Sequence, residues 1–164
     1  MRRGLTLLEL MAVLAVLAVL MTLAVPSTSG LLQRQRLNAA AEALAGDLAE
    51  ARFEAARRNT ALHLESHGGP AWCWSVAASP GCSCDAPTSS CRIKTVRSTD
   101  HPGIQLVQPL QARLDPADAN LTGSATLASS SGESLRVDLT PMGRARICVP
   151  STGPVAAATR YPKC

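Results

Sequence analysis

Two arginines one residue apart near the C-terminus, Arg144 and Arg146, carry the clearest chemical possibility in this chain of 164 residues. On an extended strand they share a face, roughly 7 Å apart. Each guanidinium offers a fork of donors that matches phosphate oxygens. Arg160 and Lys163 follow, and from Thr140 onward there is no Asp or Glu. Cations gathered without carboxylates suit anion recognition, and such contacts hold a nucleic-acid backbone without reading its sequence. The plain alternative is a solvated strand face with an Asp or Glu across from it.

Glu9 is the second residue that calls for a reason. It is the one ionisable group in the apolar run 5–25, which follows Arg2, Arg3 and Gly4. A carboxylate within an apolar helix costs about 2.5–3.5 kcal/mol on insertion scales and marks a functional position that needs a partner. As a helix the run reaches roughly 31 Å, the hydrocarbon thickness of a bilayer. Arg2 and Arg3 should stay on the cytoplasmic side. An ordinary secretory signal has a shorter apolar core and a small-residue cleavage site, and Ala18 and Ala24 do not form one.

Six cysteines behind an export segment indicate disulfides in an oxidising compartment. Cys82 and Cys84 are too close to bridge each other comfortably. Cys73 therefore pairs with one of them and Cys91 with the other, and spacing does not choose between the two patterns. Cys148 and Cys164 remain as the third pair, a bridge that would hold Arg160 and Lys163 near the arginine strand. Zinc is the alternative use for four close thiols.

The elements that position these groups follow from periodicity. Beyond Pro26 comes a polar break at residues 27–30. Leu37, Ala41, Leu44, Leu48, Ala51 and Ala55 then recur every three or four residues, an amphipathic helical stripe. Arg52, Glu54, Arg57 and Arg58 lie mostly off it, and no chemistry is assigned to them. If the helix runs unbroken from Leu5 to about Arg58 it is roughly 80 Å long. From Thr60 the period changes to that of strands, expected at 61–64, 72–77, 92–96, 104–107, 125–128, 134–140 and 144–149, with 108–123 irregular. Trp72 and Trp74 would share a face, either covering the helix or forming a base-stacking platform. His63 and His67, on a strand and a turn, would not make a metal pair. Thr140-Pro141-Met142-Gly143 suits a type I turn closing a hairpin, with Gly143 in a left-handed bulge.

Composition narrows the class. The formal net charge is +4 from 16 basic and 12 acidic residues, too mild to argue a nucleic-acid partner by itself. Removing Arg2 and Arg3 with a leader would leave 14 basic against 12 acidic, net +2. No catalytic constellation, nucleotide-binding motif or zinc-protease motif can be read, so neither enzyme activity nor a cofactor or metal is expected.

Gly4-Leu5-Thr6-Leu7-Leu8-Glu9 resembles the prepilin processing site of type IV pilins and type II secretion pseudopilins. The resemblance implies cleavage after Gly4 by a prepilin peptidase and N-methylation of Leu5. It also implies that Glu9 meets the N-terminal amine of a neighbouring subunit during assembly. Ala51-Arg52-Phe53-Glu54-Ala55 together with Gly143-Arg144-Ala145-Arg146 is similar to the FimT/GspH-type minor pilins, where Gly-Arg-x-Arg is associated with binding DNA for natural transformation.

The expected fold is therefore α+β: a long N-terminal helix packed on a C-terminal antiparallel β-sheet domain. Residues 1–4 would be a leader and 5–26 the transmembrane and filament-core helix. Residues 27–59 would be its amphipathic second half and 60–164 a disulfide-stapled periplasmic or extracellular domain. The expected function is that of a minor pilin of a type IV pilus, anchored in the inner membrane and later at the cell surface. Its expected partners are DNA, other pilin subunits, the prepilin peptidase and the inner membrane. DNA would bind by its backbone at Gly143, Arg144, Arg146, Arg160 and Lys163. The alternative is a GspH-like pseudopilin of a type II secretion system, or a pilus-priming subunit, acting through protein contacts alone.

Overall fold

Two apolar runs, one on each side of Pro26, form a single helix, α1 (Leu7–Arg58). The computed structural model describes residues 7–85, 90–116, 121–151 and 160–164, with the side chains of all of these except residues 22–29. The polar break expected at residues 27–30 is absent, because the helix continues through Pro26 and Gly30. A proline inside a helix removes one backbone hydrogen bond, a local loss that well-formed turns on both sides absorb.

The chain divides into two compact units, residues 1–32 and 33–164. In the first, the described apolar side chains of α1 from Leu7 to Met21 are all exposed. Among the described residues no helix is long and apolar enough to cross a membrane.

In the second unit the stripe does what its spacing requires. Leu37, Ala41, Leu44, Leu48, Ala51 and Ala55 are all buried in one core with residues of six of the eight described strands, and the other two pack partly buried side chains against it. Each leucine so removed from water contributes roughly 1.5–3 kcal/mol. The strands are β1 (Leu62–His67), β2 (Cys73–Ala77), β3 (Arg92–Arg97), β4 (Ile104–Gln108), β5 (Gln111–Leu114), β6 (Gly123–Ser129), β7 (Ser134–Leu139) and β8 (Ala145–Cys148). They form two four-stranded sheets, ordered β3-β2-β1-β5 and β4-β6-β7-β8, with every pairing antiparallel. This is the expected α+β architecture, with the second half of the helix packed on antiparallel sheets.

β1, β6 and β7 alternate between buried and half-exposed positions, as strands with one face on a core do. β2 is buried at every position. Trp74 and Val76 join the core, while on the other face Ser75 donates a hydrogen bond to the carbonyl of Cys82 (3.1 Å). The cysteine loop therefore covers a sheet face, and Cys82 and Cys84 are themselves buried. Strand β5 lies in the stretch expected to be irregular. It is a four-residue edge strand between Pro109 and Pro116, and prolines are tolerated at such margins. Ser66 ties it in, donating to the Leu110 carbonyl (2.8 Å) and accepting from the Leu110 amide (2.7 Å).

Asp47 lies on the apolar stripe itself and is 4% exposed. It is satisfied on both oxygens, accepting from the Trp74 indole (2.8 Å) and from the Lys94 ammonium (2.5 Å). The Asp47 bond raises the Lys94 pKa despite partial burial.

Candidate functional site

The turn between β7 and β8 is built from four backbone-directed bonds. The Gly143 amide donates to the Thr140 carbonyl (2.6 Å), and the Thr140 amide donates to the Arg144 carbonyl (3.0 Å). The Thr140 hydroxyl donates to the Arg144 carbonyl and accepts from its amide, both at 3.1 Å. Gly143 has φ +68°, the left-handed conformation that a bulged hairpin turn requires. The turn thus fixes the backbone of Arg144 at both of its polar groups.

Arg144 and Arg146 are both exposed, and neither side chain has a hydrogen-bond or ion-pair partner among the described residues. They differ in setting. Arg146 is on β8, paired in register with Asp138. That carboxylate is held by Arg136 on its own strand, with N–O distances of 2.7 and 2.9 Å. Arg144 precedes the strand, so sheet alternation does not govern it. It lines an open cleft of about 580 Å³ between the turn and α1.

The helix side of this cleft is Ala45, Ala49 and Arg52, and the turn side is residues 142–145. Arg52 packs directly on the turn, and a Cβ on Gly143 would run into its guanidinium. Its Nη1 is buried without a hydrogen-bond partner. Among the described residues, no carboxylate lines the cleft. Sequence reasoning left Arg52 with no role. The available signal was its spacing, since positions 45, 49 and 52 follow by four and three along a second helix face.

The other basic residues separate into two groups. Lys163 lies beside the end of β8 through a bridge to Val149, with the Val149 amide bonded to the Pro162 carbonyl and the Cys164 amide to the Val149 carbonyl, both at 2.9 Å. The Cys148–Cys164 disulfide anchors this segment, and Lys163 is exposed with no side-chain partner among the described residues. Arg160 is engaged elsewhere, bonded at 2.5 Å to Glu42 on α1, which also accepts from the Tyr161 hydroxyl. Burial, then the bond to Glu42, pushes the Tyr161 phenol above its usual range. Near the end of α1, bonds from Arg57 and Arg58 lower the Glu54 carboxyl to about 2.

The tryptophans offer no stacking platform. Trp72 and Trp74 are 0% and 1% exposed and stack on each other at 5.2 Å, and the Trp72 indole donates to the Ile104 carbonyl (2.7 Å). His67 is the last residue of β1 rather than part of a turn, and its separation from His63 along a strand, roughly 13 Å, is too great for one metal. The cysteines of the loop are joined as Cys73–Cys84 and Cys82–Cys91. Their sulfurs are consumed by those bonds, which removes thiolate ligands for zinc. Glu9 lies in the first turn of α1. Gly4 and Leu5 lie outside the described residues.

Comparison with known proteins gives the same architecture. The family model described as type II transport protein GspH matches residues 40–143. The prokaryotic N-terminal methylation motif matches residues 1–25, which include Gly4, Leu5 and Glu9. The crystal structure of the type IV minor pilin FimU of Pseudomonas aeruginosa is similar in fold. Its TM-score is 0.50 at 16% sequence identity, over 76% of this chain and 97% of that one. No curated protein sequence matches the chain. The GspH match ends at Gly143, so both arginines lie beyond it.

Proposed function

The chain belongs to the GspH family of pilins and pseudopilins, and from that premise we propose that it is a minor pilin whose C-terminal domain binds the backbone of DNA for uptake in natural transformation. The carrying observation is the pair Arg144 and Arg146, exposed, free of partners among the described residues, and held by a turn that depends on Gly143. Lys163 extends the patch along the neighbouring segment. Arg160 joins it only by leaving Glu42. The buried tryptophans favour contact with phosphates over stacking with bases.

In this reading a prepilin peptidase cuts after Gly4 and Leu5 becomes the methylated N-terminus. Residues 5–26 anchor the chain in the inner membrane and then in the filament, where Glu9 meets the N-terminus of the next subunit. Residues 60–164 stay on the periplasmic side until the pilus carries them out. The chain works by binding and assembly, not by catalysis.

The test is binding of labelled duplex DNA by the full chain in detergent micelles. The parent is expected to bind and the double change Arg144→Gln, Arg146→Gln to lose most of that affinity. A second reading, a pseudopilin of a type II secretion system acting only through protein contacts, is favoured by Glu42, which already holds one of the basic residues, Arg160. Equal, weak binding by parent and variant would select it.

A further inference from the structure

We propose that Arg52 of α1 is part of the anion site, and that a backbone phosphate of the nucleic acid sits in the cleft between α1 and the β7–β8 turn, shared by Arg52 and Arg144. The proposal rests on the DNA-binding reading above and assigns it a location and a further residue.

Four observations converge. Arg52 and Arg144 line the same cleft, and neither side chain has an ion-pair or hydrogen-bond partner among the described residues. By contrast, Arg34, Arg57, Arg58, Lys94, Arg113, Arg136 and Arg160 each reach a carboxylate. The Arg52 Nη1 is a buried donor on a charged group, and such donors in native structures call for a partner. Apart from Met142, which is largely exposed, the remaining walls are small, with Ala45 and Ala49 on the helix and Gly143 and Ala145 on the turn, so a phosphodiester could approach both guanidiniums closely. Among the described residues, no carboxylate in the lining would repel it.

The arrangement gives the Gly-Arg-x-Arg segment a division of labour. Arg144 works into the cleft with Arg52. Arg146, level with Asp138, lies on the sheet face and reaches a different phosphate. Gly143 serves both the turn, through its positive φ, and the cleft, because any side chain there would displace the Arg52 guanidinium.

The experiment uses the full chain in micelles with labelled duplex DNA of mixed sequence, titrated over a range of salt. Arg52→Gln is expected to weaken binding roughly tenfold, the size of one charge-assisted hydrogen bond. It should also reduce the salt slope by about 0.9, one phosphate contact. Arg52→Lys should recover much of the affinity and the slope. Because Arg52 also packs on the turn, a second variant leaves it in place. Ala49→Glu puts a carboxylate into the cleft from an exposed helix position that tolerates it. It should lose binding while Ala49→Gln keeps it, and Ala39→Glu, exposed on the same helix but outside the cleft, should stay close to the parent.

If Ala49→Glu and Arg52→Gln bind with the parent's affinity and slope while Arg144→Gln, Arg146→Gln has lost binding, the cleft is not the site. The DNA-binding reading then stands without it. If Ala39→Glu loses as much as Ala49→Glu, the effect is one of overall charge and the cleft assignment is overturned. If the double arginine change also binds like the parent, the reading fails and this inference with it.

Discussion

Two sides of the same stretch of helix treat charge in opposite ways. On one side Asp47, buried, has both oxygens bonded to Trp74 and Lys94, next to a strand covered by a loop with two disulfides. On the other, Arg52 and Arg144 share an open cleft and have no carboxylate partner among the described residues. A buried ion that is fully bonded specifies structure. A half-buried arginine beside an exposed one, with no carboxylate partner among the described residues, weakens the fold slightly and leaves positive charge available to a group of opposite sign. The difference separates what holds this domain together from what it offers outward.

The sharpest break of that contrast is Asp47→Ala. It strands the Trp74 indole donor in the core and leaves Lys94 without its main partner, at an expected cost of about 2–4 kcal/mol. Chemical denaturation of the parent and variant measures it. A loss under about 0.5 kcal/mol would mean that the two sides do not differ as described.

Gly143→Ala is next. A positive φ disfavours alanine, and the added methyl meets the Arg52 guanidinium. A loss of about 1–3 kcal/mol is expected, together with weaker DNA binding, because the turn that fixes Arg144 shifts. Arg144→Gln, Arg146→Gln should do the reverse, leaving stability within about 0.5 kcal/mol of the parent while removing DNA affinity. A large fall in its melting temperature would make the arginines structural.

The smallest effect is electrostatic. Hydrogen bonds from Arg57 and Arg58 lower the Glu54 carboxyl from its usual 4.5 to about 2. A carboxyl with a depressed pKa contributes stability above its unfolded pKa that is lost as the pH falls. The parent should therefore lose stability between about pH 4.5 and 2, and Glu54→Gln should lose less over that window. Acid unfolding followed by circular dichroism compares the two. Solvent screening at the helix surface keeps this difference small.

The parts legible in the sequence are those governed by periodicity. The stripe from Leu37 to Ala55 announced the core face of α1, and the alternation at Leu135, Val137 and Leu139 announced β7 and its pairing with β8. The turn at Gly143 was readable because few residues tolerate its backbone. Other features depend on neighbours distant in sequence. β5 is a short edge strand between prolines, with a register set by β1 and little pattern of its own. Asp47 sits on the apolar stripe, but only the arrival of Trp74 and Lys94 explains it. The cysteine pairing left open by spacing was settled by how the loop folds over β2. At the site, Arg144 and Arg146 were visible as a motif, and Arg160 was grouped with them by charge alone. Glu42, remote in sequence from Arg160, is what draws that arginine to the helix. Arg52 was missed because nothing in a helical pattern says which turn will pack against it.

The most direct measurement is the salt dependence of duplex DNA binding by the full chain in micelles. Two or three phosphate contacts at about 0.9 each predict that log affinity falls against log salt with a slope of roughly −2 to −3. Removing Arg144 and Arg146 should bring the residual slope to roughly −1 or shallower, the contact left to Arg52 or Lys163. An affinity indifferent to salt, or a double variant that keeps the parent's slope, would contradict the account and leave the arginines as solvated groups on an assembly subunit.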